Sequence, residues 1–129
     1  MIVVDTSAIV ATLTGEPERE RINAAIAAEP TCLMSAASYV ECAIVLTARH
    51  GEAGAQHLRL YLHEAGIDVV AVDQDQAEHA VDAWTRYGRG RHSAGLNYGD
   101  CFAYALAASR GAPLLFVGDD FGATDLARA

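Results

Sequence analysis

Short apolar runs separated by helical patterns constrain the fold of this chain more than any other feature of its sequence. The chain opens with Ile2-Val3-Val4, an uninterrupted apolar run typical of a strand that is buried on both faces. Further strands are predicted at 31–34, 68–72 and 114–117, and helices at 8–13, 16–28, 35–50, 52–64, 74–87 and 97–110. This alternation predicts an α/β fold in which helices cover both faces of a parallel sheet.

Composition supports a single folded domain. The chain has 129 residues, of which 52% are hydrophobic, and this excludes a disordered class. Its three cysteines are odd in number and lack a CxxC spacing, so we expect buried, reduced thiols and neither a disulfide scaffold nor a zinc knuckle. No targeting segment or membrane span is recognisable, and the sequence therefore predicts a soluble, cytoplasmic protein with no membrane partner.

The charged residues exclude several functional classes. All nine basic residues are arginines, and without lysine the chain can be neither a P-loop nucleotide-binding protein nor a Schiff-base enzyme. The formal net charge of −8 argues against loose binding to nucleic acids. If the substrate is a nucleic acid, a feature other than net charge must attract it.

Acidic residues follow the predicted strands at the edge where parallel sheets bind ligands. Asp5 comes directly after the first strand, and Asp119 and Asp120 come after the fourth. Glu41 interrupts the apolar pattern of the helix after the second strand, and Asp100 lies in the first turn of the last helix. Taken singly, Asp5 and Asp100 could be helix caps and Asp119-Asp120 a turn. Together they would put four or more carboxylates in one cleft.

Such a cluster is costly because like charges raise the pKa of one another. Two solutions are open, carboxylates that share protons or a divalent cation held by oxygen ligands. The absence of lysine and the scarcity of nearby histidine favour the cation. Mg²⁺ prefers oxygen ligands and can activate a water for attack on a phosphodiester.

A loop upstream of Asp100 is rich in arginine. Arg86, Arg89 and Arg91 lie within six positions and could grip phosphates, with Tyr87 stacking on bases. The alternative is a solvated loop without a ligand. Trp84 and Tyr104 lie on predicted apolar faces, so we expect both of them in the core.

Four motifs resemble one known family. They are the N-terminal Ile-Val-Val-Asp-Thr-Ser at 2–7, Tyr-Val-Glu at 39–41, Leu-Asn-Tyr-Gly-Asp-Cys-Phe-Ala-Tyr-Ala-Leu-Ala at 96–107 and Leu-Leu-Phe-Val-Gly-Asp-Asp-Phe at 114–121. In this order they resemble the PIN-domain ribonucleases, specifically the VapC toxins of bacterial type II toxin–antitoxin pairs. The resemblance covers essentially the whole chain and predicts a single PIN domain at 1–129.

The resemblance implies a three-layer α/β/α sandwich with a central parallel sheet of four to five strands. It also implies a hydrolase that cleaves RNA with Mg²⁺ or Mn²⁺, forms a homodimer and is inhibited by a VapB antitoxin, whose C-terminal segment occupies a groove beside the active site. By position, Asp5, Glu41 and Asp100 match the first three acids of the family. We take Asp119 as the fourth, with Asp120 as its substitute, and Thr6 or Ser7 as support for Asp5.

Other functions remain as alternatives. A receiver-type signalling domain has a similar length and acidity but needs a lysine after its last strand. A phosphatase of the haloacid dehalogenase type would need an acid at position 7, where this chain has serine. A PIN fold that only binds RNA or protein would be expected to lack one of the acids. A further hypothesis assigns the apolar sides of two helices, at Ile22–Ile26 and Leu58–Leu62, to a dimer or antitoxin contact.

Overall fold

The computed structural model describes residues 1–129 and contains four strands and six α-helices. Every predicted strand and helix is present, with ends shifted by a few residues. In chain order they are β1 (Ile2–Val4), α1 (Thr6–Leu13), α2 (Arg19–Ala27), β2 (Cys32–Ser35), α3 (Ala36–His50), α4 (Glu52–Ala65), β3 (Ile67–Val70), α5 (Gln74–Tyr87), α6 (Tyr98–Arg110) and β4 (Leu114–Leu115), followed by a 3-10 helix at Asp120–Ala123.

The four strands form one parallel sheet in the order β3-β2-β1-β4, which confirms the predicted sheet. Beyond β4, the backbone of Leu114 donates to Ala127 and accepts from Ala129, so that the C-terminal residues lie along the outer edge of β4. Because parallel strands end at a common edge, residues that follow β1, β2 and β4 lie near one another.

Strand β4 is shorter than the predicted run at 114–117. Strand β1 ends at Val4 because Asp5 caps α1, so Val117 has no backbone partner on β1. The N–H of Val117 donates instead to the Oγ of Ser7 over 3.0 Å. The Ser7 side chain, at the start of α1, thus takes the place of the backbone hydrogen bond that β1 no longer provides.

Helices cover both faces of the sheet, which gives the three-layer α/β/α arrangement. On one face, Val3 and Phe116 pack against α5 and α6. On the other, Val4 and Leu115 pack against α1 to α4. The three cysteines are buried and unpaired, as expected. None of the helices combines the length and the apolar character that crossing a membrane requires.

The apolar sides of α2 and α4 are part of this core. Ile22, Ile26, Leu58 and Leu62 are each 5% exposed or less. The hypothesis that they contact a dimer mate or an antitoxin is therefore wrong, because they are covered by the chain itself.

A different set of large apolar side chains is exposed. Trp84, expected in the core, is 44% exposed, because α5 packs on the sheet side through Ala80 and Ala83 instead. Tyr104, by contrast, is buried as expected. We call five residues of three adjacent helices the exposed apolar face: Val40 and Ile44 of α3, Val81 and Trp84 of α5, and Tyr98 of α6.

Candidate active site

Asp5 lies at the carboxyl edge of the sheet, between β1 and α1. Only 3% of the residue is exposed. Burial raises the pKa of Asp5, the nearby Glu41 carboxylate adds to the increase, and hydrogen bonds from Ser7 oppose it. No arginine or histidine forms an ion pair with this carboxylate. Asp5 is thus a buried acid whose charged form lacks a positive partner.

Ser7 fixes the Asp5 side chain. Its backbone N–H and its hydroxyl both donate to Oδ2 of Asp5, over 3.0 and 2.6 Å. The same hydroxyl accepts the N–H of Val117, which ties Asp5 to the end of β4. The Thr6 hydroxyl donates elsewhere, to the carbonyl oxygen of Ser38 over 3.0 Å, and so links α1 to α3. Ser7 supports the acid directly, whereas Thr6 positions the helix that carries Glu41.

Asp100 combines a capping role with membership of the acidic group. Its Oδ2 accepts the N–H of Asn97 over 3.0 Å, and the Asn97 side chain accepts the N–H of Asp100, which completes a capping box at the start of α6. Burial raises the pKa of Asp100 to about 6, and repulsion from Asp5, Asp120 and Glu41 adds to the shift. Asp100 therefore caps α6 and also belongs to the group of acids at this edge of the sheet.

Glu41 reaches the same region from the second turn of α3. Its carboxylate lies against Gly99, in the first turn of α6, so closely that a Cβ atom built at Gly99 would overlap it. Sequence reasoning missed Gly99. The available signal was a glycine in the first turn of a predicted helix, directly before Asp100, where alanine would be the better helix former.

The two candidates for the fourth acid differ in their influence on the others. Both Asp119 and Asp120 are exposed after β4. The charge of Asp120, but not that of Asp119, is among the causes that raise the pKa of Asp100. Asp120 thus acts on Asp100 more strongly than Asp119 does, and the choice of Asp119 as the fourth acid, with Asp120 as its substitute, stays a prediction.

The available donors suit a cation that prefers oxygen. Burial raises the pKa of the Cys42 thiol to about 12 and that of Cys101 to about 11, and the neighbouring acids add to both shifts. Both thiols are therefore protonated and poor ligands, which leaves carboxylates and hydroxyls. As placed, no three acidic, histidine or cysteine side chains are close enough to share one ion. A cation bound here would have to draw the carboxylates closer together than they lie in its absence.

The arginine loop contributes less free charge than its sequence suggests. The Arg86 guanidinium donates to the hydroxyls of Tyr87 and Tyr104, each over 3.1 Å, and to Asp125 over 3.4 Å. Arg91 donates to a backbone carbonyl and lies 5.0 Å from the ring centroid of Trp84. Of the three predicted RNA-binding arginines, Arg89 alone has a side chain without a partner in the chain.

Comparison with known proteins gives the family of this fold. A family model described as the PIN domain matches residues 2–126. Ribonuclease VapC30 of Mycobacterium tuberculosis is 56% identical over 126 residues, which cover 98% of this chain and 96% of the relative. Ribonuclease VapC of Mycolicibacterium smegmatis is also 56% identical over 126 residues, with 98% of both chains covered.

Solved structures share the architecture at lower identity. VapC20 of Mycobacterium tuberculosis, described as a sarcin-ricin loop cleaving toxin, has a TM-score of 0.80 at 20% identity and covers 100% of this chain and 98% of its own. A toxin–antitoxin complex from Klebsiella pneumoniae contains a chain with a TM-score of 0.72 at 20% identity, covering 97% and 93%. At this identity, the two structures support the fold alone.

Proposed function

This chain belongs to the VapC ribonucleases of the PIN-domain family, and from this premise we propose that it hydrolyses RNA with a divalent cation, Mg²⁺ or Mn²⁺. The observation that carries the proposal is the grouping of Asp5, Glu41, Asp100 and Asp120 at one edge of the sheet, with no basic side chain paired to any of them. These carboxylates would hold a divalent cation, which would offset their charge and lower the pKa of a water so that it loses a proton and attacks the phosphodiester more readily.

The residues have distinct tasks in this proposal. Asp5, Glu41 and Asp100 hold the cation together with Asp119, or with Asp120 in its place. Ser7 and Asn97 orient two of these acids through hydrogen bonds, and Gly99 leaves space for the third. These hydrogen bonds orient Asp5 and Asp100, while a bound cation would still have to draw the carboxylates together.

Metal removal tests the proposed chemistry. We expect purified, antitoxin-free protein to cut total cellular RNA into discrete fragments in Mg²⁺ or Mn²⁺, and cleavage to stop in EDTA. Restoring either ion should restore the same fragments, whose mapped ends identify the substrate. Cleavage that continues in EDTA would contradict a metal-dependent reaction. RNA binding without cleavage in either metal would favour the alternative, a PIN fold that only binds its partners.

The toxin role extends the proposal to a partner. VapC toxins are paired with antitoxins, and one structural neighbour is a toxin–antitoxin complex. We therefore propose a VapB-type antitoxin that binds this chain and suppresses cleavage. Because a toxin that cuts RNA must act where cellular RNA is found, we also propose that this chain acts in the cytoplasm.

We further propose that the exposed apolar face joins two copies of the chain. Val81 is 67% and Ile44 63% exposed, and Tyr98 and Phe102 lie between them with ring centroids 4.9 Å apart. Two adjoining grooves, of about 460 and 270 Å³, share these two rings. Contiguous apolar surface of this kind marks protein contacts in soluble proteins.

A charge placed in this face should separate the dimer. We expect Val81→Glu to raise the dimer dissociation constant at least about tenfold, because burying an unpaired carboxylate costs more than 1.4 kcal/mol. Light scattering across a concentration series measures the change. Leu60→Glu, at a 54% exposed position on α4, is the matched control and should leave the dimer intact. An unaltered dimer of the Val81 variant would exclude this face from the interface.

A further inference from the structure

Two arginines from opposite ends of the chain meet at one backbone oxygen. Arg21 of α2 and Arg128 near the C-terminus each place a guanidinium nitrogen 3.4 Å from the carbonyl oxygen of Phe116. The Arg128 guanidinium also lies over the Phe116 ring, 4.3 Å from its centroid. Both side chains are therefore oriented by the end of β4. We call these two residues the arginine pair.

The arginine pair lies at the edge of the sheet that carries the acids. Phe116 follows β4 directly, and its neighbour Val117 is hydrogen bonded to the Ser7 hydroxyl that holds Asp5. The carbonyl of Leu115 faces β1, where it accepts the N–H of Asp5. Successive carbonyls of a strand point to opposite sides, so that of Phe116 faces the outer side of β4. The pair thus flanks the acidic group from outside the sheet.

The charges of the pair are not compensated within the chain. The ion pairs of this structure involve the N-terminus, His79 and Arg86, and neither Arg21 nor Arg128 has an acidic partner. Only Arg86 among the nine arginines forms an ion pair, so what distinguishes Arg21 and Arg128 is that both guanidinium groups meet at one oxygen. Two adjacent guanidinium groups repel each other, and a bound anion removes that repulsion. Each group uses one nitrogen on Phe116 and keeps donors in a fixed fork that suits a phosphate.

We propose that Arg21 and Arg128 together hold one backbone phosphate of the RNA, next to the nucleotides bound at the acids. This inference rests on the proposed ribonuclease function. It also answers how a polyanion approaches a chain with a net charge of −8. In the arginine loop, Arg86 is neutralised by its ion pair with Asp125, whereas Arg91, like Arg128, donates to a backbone carbonyl and keeps its charge. The arginine pair supplies positive charge beside the acids, where the proposed RNA strand would lie.

Binding of a short, labelled single-stranded RNA in EDTA tests the proposal without cleavage. We expect Arg21→Gln combined with Arg128→Gln to weaken binding about tenfold. The slope of log affinity against log salt should fall by about 0.7, which is the value for one phosphate contact on a single strand. In Mg²⁺, KM for RNA cleavage should rise and kcat should change little, because the pair does not touch the reacting atoms.

Matched variants separate this contact from general charge and from folding. Arg49→Gln with Arg59→Gln removes two charges from exposed arginines of α3 and α4 that form no ion pair, and should keep the wild-type slope. Arg21→Lys with Arg128→Lys should retain the slope while binding more weakly than wild type. If Arg21→Gln with Arg128→Gln lowers the melting temperature, Arg21→Gln alone serves as the test, because Arg128 then keeps its contacts with Phe116.

The outcomes distinguish this inference from the proposed function. If the wild type cleaves RNA and the double variant Arg21→Gln, Arg128→Gln binds RNA with unchanged affinity and salt slope, the arginine pair is not a phosphate site for RNA. Loss of inorganic phosphate binding with unchanged RNA affinity would make it a site for free anions and would also overturn the proposal. A wild type that neither cleaves nor binds RNA would overturn both proposals.

Discussion

Asp5→Asn is expected to lower the rate of RNA cleavage in Mg²⁺ by about a thousandfold or more. Stabilisation of a phosphoryl transition state by a bound metal is worth several kcal/mol, and each 1.4 kcal/mol corresponds to about a factor of ten in rate. Asparagine keeps an oxygen that can accept both hydrogen bonds from Ser7, so the cap of α1 is preserved. Single-turnover cleavage of a defined RNA measures the loss. Asp68→Asn, at an exposed acid on β3, is the control and should retain full activity.

The same substitution should not destabilise the metal-free protein. An acid whose pKa is raised by folding costs stability at a pH above that pKa, because the folded state must hold an unfavourable charge. Asp5→Asn and Asp100→Asn should therefore keep or raise the melting temperature at pH 8. For Asp100, whose pKa is about 6, the gain should shrink as the pH falls from 8 towards 4. A variant of Asp5 with full activity would remove that residue from the proposed site.

Gly99→Ala is expected to lower cleavage at least about tenfold while the fold remains intact. The new methyl group would overlap the Glu41 carboxylate, which is the flexible end of a long side chain and can move aside at little cost to folding. Alanine in a helix also gains up to about 1 kcal/mol over glycine. The displaced carboxylate, however, can no longer reach the other acids. Calorimetric titration with Mn²⁺ should accordingly show weaker binding, and thermal unfolding should show unchanged or higher stability.

A double-mutant cycle assigns this effect to Glu41. In a Glu41→Ala background, Gly99→Ala should cause no further loss, because the carboxylate that it displaces is already absent. Gly122→Ala is the matched control, since no atom lies within 4 Å of a Cβ built there and its φ is not in the left-handed region. Equal effects of Gly99→Ala in both backgrounds would show that Gly99 acts through something other than Glu41.

Local signals in the sequence were enough to predict the sheet and the helices. The run Ile2-Val3-Val4 forms β1 as expected, since a short apolar run followed at once by a cap residue leaves little alternative. Ser35 ends β2 and caps α3, and Asn97 caps α6. The predicted ends of the strands were less accurate. The length of β4, for example, depends on where β1 ends rather than on the residues of β4 itself.

Periodicity alone could not separate the core from exposed apolar surface. Val40 and Ile44 fit the apolar pattern of α3, yet they are 54% and 63% exposed. The same pattern on α2 and α4 is buried within the chain. Helical periodicity shows that apolar residues lie on one side of a helix. Whether that side is buried depends on how the helices pack together.

Contacts between distant parts of the chain were also beyond local reasoning. Arg21 and Arg128 are almost a chain length apart, and no pattern in either neighbourhood indicates that both reach Phe116. Arg86 was predicted to bind RNA, but its partner Asp125 lies far along the sequence. The sequence could not distinguish Asp119 from Asp120 either, since both are aspartates and their positions depend on the turn after β4.

The hydrogen bonds on the acids also limit their denticity. Oδ2 of Asp5 accepts two hydrogen bonds from Ser7, and Oδ2 of Asp100 accepts one from Asn97, while Oδ1 of each acid accepts none from the protein. Asp5 can therefore offer only Oδ1 freely, and Asp100 offers Oδ1 more freely than Oδ2, which keeps one lone pair. Mg²⁺ suits such a pair because it retains much of its hydration, whereas Ca²⁺ collects more oxygens and often binds carboxylates through both. Ser7 and Asn97 would in this way keep water on the metal, and water is the second reactant in hydrolysis.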